Sequence, residues 1–292
     1  MTRTLVTGIN SPLGQTVGRK LQAEGHSVVG TVRSSKINTQ GLPADELVAL
    51  DLENEATFHN ILGEFDSFIH IATMNEGSAE DLLKTRGLGV IYLIDRAKQL
   101  NIRRIVHISS MSIYGKVLTK IVDENTCLTH SLPVGAATWA AECLISSERS
   151  SIEAVSIRSP AIAGPYANRH FLAKVLIGMV RGFDEIAVSN PDHLFNNIVH
   201  ESIIADFIIK LSDVDPIPLY RAVPIASTDP IPLREIIDVM TKATNYNGQI
   251  NWIEPKSPPF RIDSTGAIEL GYQPITTLET VNRWMHDAKL RI

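Results

Sequence analysis

The chain has 292 residues, of which 44% are hydrophobic and 20% charged, and its formal net charge at pH 7 is −5. This composition predicts a globular protein, and it indicates no basic surface for nucleic acid or an anionic membrane. The apolar runs are too short for a signal peptide or a membrane span. Two cysteines, Cys127 and Cys143, are too few for a disulfide framework and are typical of a reducing compartment. We therefore expect a cytoplasmic protein.

Short runs rich in valine and isoleucine alternate with amphipathic segments in the first half of the chain. The predicted strands are 4–8, 27–32, 47–50, 67–73, 104–110 and 154–159, and the predicted helices are 13–24, 79–100 and 136–149. Nearly continuous apolar strands, each followed by a helix, predict an α/β fold with a doubly wound, parallel Rossmann-type sheet.

The first strand ends in TGINSPLG, which runs from Thr7 to Gly14. A glycine directly after the strand allows a tight turn, and a glycine at the helix start allows close packing of helix on strand. Backbone N–H groups and the positive helix end then point at a phosphate. Because the loop joins a strand to a helix at the start of an alternating pattern, we predict a dinucleotide-binding turn rather than a turn without a ligand.

The second strand ends in VVGTVRSS, where an acidic residue would bind the ribose 2′-hydroxyl of NAD. Arg33, Ser34 and Ser35 stand there instead, and a guanidinium beside hydroxyls suits a 2′-phosphate. We therefore predict NADP as the cofactor, with NAD as the alternative, and an exposed loop arginine is the other interpretation of Arg33. Asp51 is placed for the adenine amino group or as the N-cap of a segment that starts at Glu53.

The regular pattern ends at about residue 160, where turn-forming stretches become frequent. Helical periodicity returns at 201–212, 231–243 and 278–288. We therefore predict a dinucleotide-binding domain and a smaller C-terminal substrate lobe. The first comprises 1–165 with 198–220 returning to it, and the second comprises 166–197 and 221–292.

The motifs follow one another in the order of a known family. Over nearly its whole length the chain resembles the extended short-chain dehydrogenase/reductases, the NAD-dependent epimerase/dehydratase family. The motifs that carry the resemblance are TGINSPLG, Asp51-Leu52, HIAT (70–73), VHISSMSIYG (106–115), Glu124 and Pro133, IRSPAIAGP (157–165), FNNIVH (195–200), LREI and LGYQP.

The resemblance implies a seven-stranded parallel sheet that binds a nicotinamide dinucleotide, and a C-terminal lobe over a small-molecule substrate. That substrate is a ketone, an alcohol or a nucleotide sugar, and members commonly form homodimers through the helices that here span 79–100 and 136–149. The residues that the resemblance and the two loops assign to the cofactor are Thr7, Gly8, Asn10, Ser11, Leu13, Gly14, Arg33, Ser34, Asp51, Leu52, Ile71, Ala72, Thr73, Ser109, Pro160 and Ile162.

The resemblance also implies a catalytic set, and two of its members are missing. In the family a serine or threonine binds the reacting oxygen, a tyrosine exchanges the proton, and a lysine four residues later lowers the tyrosine pKa and holds the nicotinamide ribose. Ser110 occupies the serine position. Alignment on Pro133 and Glu142 places the tyrosine at Val134 and the lysine at Thr138, and neither side chain can do that work.

Three further positions depart from the family pattern. Ser11 replaces the middle glycine of the phosphate loop, Arg86 stands where an asparagine is common, and Ile203 replaces an acidic residue. The serine is tolerable only if its backbone angles stay favourable.

Two side chains are candidates for the missing acid. Tyr114 lies four residues after Ser110, and its ordinary interpretation is a packed aromatic with a bonded hydroxyl. His130 lies in the loop before the altered helix, and its ordinary interpretation is an exposed loop histidine. Water or the substrate could also supply the proton, at a loss of about 10²- to 10⁴-fold in rate.

Three functions follow from these residues. We favour an atypical NADP(H)-dependent oxidoreductase, a ketone reductase in which Ser110 polarises the oxygen, because the cofactor site is complete in the sequence. A non-catalytic NADP-binding sensor or scaffold is the second. A nucleotide-sugar epimerase or dehydratase is the third, and it depends most on the proton transfer that Val134 and Thr138 cannot support. We predict no metal site, because His193 and His200 lack ligand spacing.

Overall fold

The computed structural model describes residues 2–34, 38–74, 76–129, 132–213, 218–254 and 258–289. The chain forms two compact units. Unit 1 contains Met1–Gly115, Cys127–Arg158 and Ile204–Val223, and unit 2 contains Lys116–Thr126, Ser159–Ile203 and Pro224–Ile292.

The strands alternate with helices through the first half of the chain and become short in the second half. The strands are β1 Arg3–Thr7, β2 Ser27–Val32, β3 Glu46–Ala49, β4 Ser67–His70, β5 Arg104–Ser110, β6 Ile121–Val122, β7 Glu153–Ser159, β8 Ala161–Ala163, β9 Glu185–Ser189, β10 Leu194–Phe195, β11 Ile198–His200, β12 Tyr220–Pro224, β13 Ile231–Pro232, β14 Gln249–Ile253 and β15 Arg261–Ile262.

The α-helices are α1 Pro12–Ala23, α2 Ala79–Leu83, α3 Gly89–Gln99, α4 Pro133–Ser147, α5 Phe171–Val180, α6 Glu201–Asp213, α7 Leu233–Thr244, α8 Thr265–Glu269 and α9 Thr277–Lys289. Two 3₁₀-helices span Glu55–Asn60 and Met111–Tyr114, and a π-helical turn at Lys84–Leu88 joins α2 to α3.

A seven-stranded sheet in the order β12-β7-β5-β4-β1-β2-β3 forms the centre of unit 1. The pairs β1–β2, β1–β4, β2–β3 and β4–β5 are parallel. Strand order therefore reverses at β1, which confirms the predicted doubly wound α/β sheet. The edge strand β12 was not predicted, because its sequence follows a proline-rich turn and three of its five residues are only half-buried.

Apolar side chains of the sheet and of the helices pack into one core in unit 1. Leu5, Phe68 and Ile105 come from the strands, and Leu93 and Ile145 come from α3 and α4. Each of these side chains is almost completely buried, and burial of such a side chain stabilises the fold by about 1.5–3 kcal/mol.

Unit 2 has its own core and small sheets. Trp284 of α9 is 1% exposed and belongs to the same apolar cluster as Leu172 of α5 and Ile236 of α7. The strand pairs β8–β11, β9–β14 and β6–β15 are parallel, and β10–β13 is antiparallel. Because β6 and β8 pair with later strands, 116–126 and 159–203 belong to unit 2, whereas the predicted boundary lay at 165.

Among the described residues, no helix combines the length and the apolar character needed to cross a bilayer.

Candidate functional site

The turn between β1 and α1 requires glycine at two positions. Gly8 has a φ of +72°, which is in the left-handed region that L side chains rarely adopt. A Cβ added to Gly14 would lie 2.2 Å from the carbonyl oxygen of Gly8. The start of α1 therefore packs directly on the turn, as the sequence predicts.

Ser11 fits the turn without the freedom of a glycine. Its φ is −74°, and its hydroxyl caps α1 by accepting the Gly14 N–H at 3.0 Å. Its own N–H donates to the Gly8 carbonyl at 2.9 Å. Pro12, the first helical residue, has no N–H. In the first turn of α1, Leu13 is thus the residue whose amide can serve a ligand.

The turn lies at the edge of the sheet where the C-terminal ends of the parallel strands meet. Strand order reverses at β1, between β2 and β4. In open α/β sheets, ligands bind outside the carboxyl ends of the strands at such a switch point.

Thr7 joins this edge to the chain that follows β4. Its hydroxyl accepts the N–H groups of Ile71 and Ala72 at 3.1 Å each and contacts Nδ1 of His70 at 2.8 Å. Because the hydroxyl accepts two amides, its own hydrogen goes to Nδ1, and the imidazole is neutral. Thr73, the next predicted cofactor residue, is exposed.

Two buried histidines stack below this edge. The rings of His70 and His107 lie 5.6 Å apart between centroids. Burial, and after it the charge of Arg86, lower the pKa of His70 to about 3. Burial, His70 and Arg86 lower the pKa of His107, whose Nδ1 contacts the Ser156 hydroxyl at 3.0 Å. Both rings are therefore neutral at physiological pH.

The ends of β2 and β3 carry the residues predicted for the adenosine half of the cofactor. Arg33 is exposed and Ser34 half-buried, whereas Ser35 lies outside the described residues. The Asp51 carboxylate accepts the N–H of Glu53 at 3.1 Å. The helix-cap interpretation of Asp51 is wrong, because Asn54 caps the 3₁₀-helix that follows. Leu52, the next predicted residue, is buried.

Ser110, the predicted catalytic serine, ends β5 and caps the next 3₁₀-helix. Its hydroxyl accepts the Ser112 N–H at 3.1 Å, which leaves its own hydrogen for another acceptor. Tyr114 closes that 3₁₀-helix and is 1% exposed. Its hydroxyl accepts a hydrogen bond from Arg158 at 2.9 Å. The geometry of Tyr114 therefore corresponds to the packed aromatic with a bonded hydroxyl.

A buried ion pair connects the side chains of Ser109 and Tyr114, which are near Ser110 in the chain. Arg158 and Glu142 are 2.8 Å apart and both are buried. Ser109 donates its hydroxyl to Glu142 at 2.5 Å, and the Arg158 guanidinium lies 5.1 Å from the Tyr114 ring centre. Burial lowers the pKa of Arg158, but the hydrogen bond and charge of Glu142 outweigh it, so that pKa is raised. The Ser109 side chain thus takes part in an internal network.

The altered positions lie at the start of α4, as predicted. Val134 is half-buried, and Thr138 is completely buried. The Thr138 hydroxyl donates to the Val134 carbonyl at 2.6 Å and accepts from Arg86 at 2.8 Å. Arg86 lies on the π-helical turn and also donates to the Met74 carbonyl at 2.8 Å. In the sequence, Arg86 stands out only as a departure from the family pattern, because 52 residues separate it from Thr138.

The profile of the NAD-dependent epimerase/dehydratase family matches residues 4–195, which is more than half of the chain. The chain belongs to this family. The resemblance that the motifs indicated is therefore confirmed.

Known proteins of low sequence identity are similar to this chain over nearly its whole length. Protein CapI of Staphylococcus aureus is 19% identical over 97% of this chain and 97% of its own. The structure of the UDP-Glc/GlcNAc 4-epimerase from Campylobacter jejuni has a TM-score of 0.86 at 16% identity and covers 100% of both chains. The Thermus thermophilus UDP-glucose 4-epimerase in complex with NAD has a TM-score of 0.79 at 18% identity and covers 99% of this chain and 100% of its own. These likenesses confirm the fold.

The remaining predicted residues are spread over the molecule. Pro160 and Ile162 belong to unit 2, where Ile162 pairs with Val199 in the β8–β11 ladder. His130 lies outside the described residues. By contrast, the predicted cofactor residues after β1 and after β4 follow two adjacent strands, at the same edge of one sheet.

A group of possible metal ligands, which the sequence did not predict, lies apart from the turn between β1 and α1. Ligand atoms of Glu24, His26 and Asp213 lie within 4.8 Å of one another. Nδ1 of His26 contacts the Thr2 hydroxyl, and its Nε2 lies 3.4 Å from Asp213. Both ring nitrogens are thus already engaged, and we assign no metal to the group.

Proposed function

We propose that this chain binds a nicotinamide dinucleotide at the C-terminal edge of the unit 1 sheet. The turn from Gly8 to Gly14 is the observation that carries the proposal, because its glycines bring the backbone and the start of α1 close to a ligand. The 12-residue α1 directs its positive end to this turn, and Leu13 offers an amide there. The residues present therefore fit a pyrophosphate, although Pro12 and the Ser11 cap leave fewer amides than a loop with three glycines would offer.

NADP(H) is the preferred form of the cofactor in this proposal. Arg33 follows β2 with an exposed side chain, next to Ser34, and a guanidinium beside a hydroxyl suits a 2′-phosphate. The Thermus thermophilus relative contains NAD. The argument for the phosphorylated form therefore depends on Arg33 of this chain.

The proposed reaction is an oxidation or reduction at a secondary alcohol or ketone carbon. The bound nicotinamide would accept or supply the hydride, and the Ser110 hydroxyl would donate a hydrogen bond to the reacting oxygen. Val134 has no proton to exchange, so water or the substrate would carry the proton, at a rate lower by about 10²- to 10⁴-fold.

The substrate class that we propose is a nucleotide sugar. The sequence motifs favoured a ketone, but the two similar epimerases are named for UDP-sugars and share the fold over 99–100% of this chain. A redox step on such a sugar requires less of the proton-transfer machinery than epimerisation does. We also propose that the chain forms a homodimer through the helices within 79–100 and 136–149.

Nucleotide binding without turnover is the second candidate function. It is favoured by Val134 at the phenol position and by Tyr114, whose buried hydroxyl already accepts a hydrogen bond from Arg158. A protein of this kind would sense or store the dinucleotide.

Titration with NADPH and NADH, followed by nicotinamide fluorescence, tests the binding proposal. Arg33→Ala should weaken NADPH by about tenfold or more and NADH little, because a hydrogen bond to a charged group contributes about 1.5–3 kcal/mol. Arg149→Ala, which removes an exposed arginine near the end of α4, is the matched control and should change neither affinity. Equal effects of Arg33→Ala on both nucleotides would contradict the assignment of NADP(H).

Turnover separates the two candidate functions. UDP-sugars and simple ketones are incubated with the protein and NADPH or NADP, and the nicotinamide absorbance is followed. Oxidation or reduction of a UDP-sugar supports the enzyme. Tight NADPH binding without turnover of the panel supports the sensor, and the absence of binding contradicts both.

A further inference from the structure

A buried positive charge lies at the start of α4. Arg86 is 5% exposed, and its guanidinium donates to the Met74 carbonyl and to the Thr138 hydroxyl at 2.8 Å each. Burial lowers the pKa of Arg86 to about 10, so the side chain stays charged at neutral pH. A charge in such surroundings acts more strongly on its neighbours than one at the surface.

The Arg86 guanidinium lies close to the sheet edge at which we propose nucleotide binding. Met74, which accepts from Arg86, follows the end of β4 by four residues. Burial is the main cause of the lowered pKa of His70 and His107, and the Arg86 charge contributes in both. The guanidinium is thus electrostatically coupled to β4 and β5.

Position 138 and position 86 cannot both carry a cation in this arrangement. The Thr138 hydroxyl gives its hydrogen to the Val134 carbonyl and presents its oxygen to the guanidinium. A lysine at 138 would place a second positive group against Arg86, in a place from which water is excluded, and like charges there repel strongly. The threonine at 138 and the arginine at 86 therefore form one coupled pair.

We propose that Arg86 replaces a lysine at position 138 as the source of positive charge near the edge of the unit 1 sheet at which the dinucleotide would bind, and that it strengthens binding of the nicotinamide half. This inference rests on the proposed nucleotide binding. The π-helical turn at Lys84–Leu88 supports it, because such turns are rare and frequently occur at functional sites. Arg86 is a positioning residue that acts on the ligand from beside Thr138.

Four variants test the exchange of charge: Arg86→Asn, Arg86→Lys, Thr138→Lys, and the double variant Arg86→Asn/Thr138→Lys. Each is titrated with NADPH and with adenosine 2′,5′-bisphosphate, which carries only the adenosine half, and its melting temperature is measured. Arg86→Asn should weaken NADPH by about tenfold or more without a comparable effect on the bisphosphate, because the buried positive charge that acts on the nicotinamide half is lost. Arg86→Lys retains the charge and should keep most of the NADPH affinity.

The double variant distinguishes a role in binding from a role in packing. It moves the cation from the π turn to α4, so NADPH affinity should recover relative to Arg86→Asn. Thr138→Lys alone should lower both the melting temperature and the affinity, because two cations then meet.

Three results would overturn the inference. They are unchanged NADPH affinity in Arg86→Asn, equal losses for NADPH and the bisphosphate, and no recovery of affinity in a folded double variant. If the unaltered protein binds the bisphosphate and NADPH and Arg86→Asn has no effect, the Arg86 role alone fails. If the unaltered protein binds neither, the proposed function fails with it.

Discussion

The buried ion pair of Arg158 and Glu142 lies next to the strand end that carries Ser110, and loss of one partner should strongly lower stability. Glu142 accepts from Arg158 and from Ser109, and the side chains of the pair are 7% and 4% exposed. We expect Arg158→Met to lower the free energy of unfolding by about 3–5 kcal/mol, because a buried carboxylate would lose its cation. Urea denaturation followed by circular dichroism measures the change.

The double variant Glu142→Leu/Arg158→Met is the test of coupling between these two residues. It should be less destabilised than Arg158→Met alone, since no buried charge is left unpaired. Lys84→Met breaks the exposed pair with Glu80 and should change stability little. A double variant that is as destabilised as Arg158→Met, or more so, would contradict a coupled pair.

At the scale of single residues, the sequence predicted what depends on local chain geometry. Gly8 and Gly14 were found because a strand-to-helix turn demands them, and Val134 and Thr138 were found by alignment on Pro133. The partners of these residues were not found. Arg86 with Thr138, and Arg158 with Tyr114, are separated by 52 and 44 positions, and local spacing carries no information on such contacts.

The packing of α1 on β1 depends on one missing methyl group. A Cβ at position 14 would lie 2.2 Å from the Gly8 carbonyl oxygen, which is backbone and cannot move aside. We expect Gly14→Ala to lower the free energy of unfolding by about 1–3 kcal/mol, and to weaken NADPH binding as the turn is displaced. Thermal denaturation and nucleotide titration measure the two effects.

Gly87→Ala is the matched control for this substitution. Among the described residues, no atom beyond the chain neighbours and the helix's own backbone lies within 4 Å of a Cβ added there, and Gly87 has a helical backbone. The alanine should leave the fold intact or stabilise it by up to about 1 kcal/mol. A Gly14→Ala protein as stable as Gly87→Ala would contradict the close packing of α1.

Hydrophobic periodicity predicted the strands and helices that have one apolar face. It missed the elements that lack such a face or that depend on contacts with distant residues. The six predicted strands and the helix α1 are present, with ends that agree or differ by at most three residues. The predicted helix 79–100 is interrupted by the π turn. The sequence did not predict this interruption, because apolar residues have nearly the same spacing in a π turn and in an α-helix. The helix α5 was missed because it is apolar on most sides, which removes the contrast that periodicity needs.

The whole molecule should lose stability in mild acid, because it buries neutral histidines. Burial, then Arg86, lower the pKa of His70 to about 3, and burial lowers that of His170 to about 4, from 6.5 in each case. Below pH 6.5 the unfolded chain gains protons that the folded chain does not. The free energy of unfolding should therefore fall by about 1.4 kcal/mol per pH unit for each such histidine, between pH 6.5 and its folded pKa.

Urea denaturation at several pH values measures this slope, and His70→Gln should make it shallower than in the unaltered protein. His59→Gln, which replaces an exposed histidine, is the control and should leave the slope unchanged. A slope unaffected by His70→Gln would contradict the neutral state of His70 in the fold.

The division into two units was the least predictable feature of the whole molecule. The sequence predicted the boundary at residue 165, shortly after regular alternation ends at about residue 160. The structure assigns 116–126 to unit 2, because the two-residue strand β6 pairs with β15 near the far end of the chain. A pairing of two residues over such a distance leaves no pattern in the sequence.

The π turn also determines which way Arg86 faces relative to α4. It contains one residue more than an α-helical turn would, and a residue added to or removed from a helix rotates the preceding part by about 100°. A deletion there would carry Arg86 away from Thr138. We therefore expect a one-residue deletion within Lys84–Leu88 to break the hydrogen bond between Arg86 and Thr138.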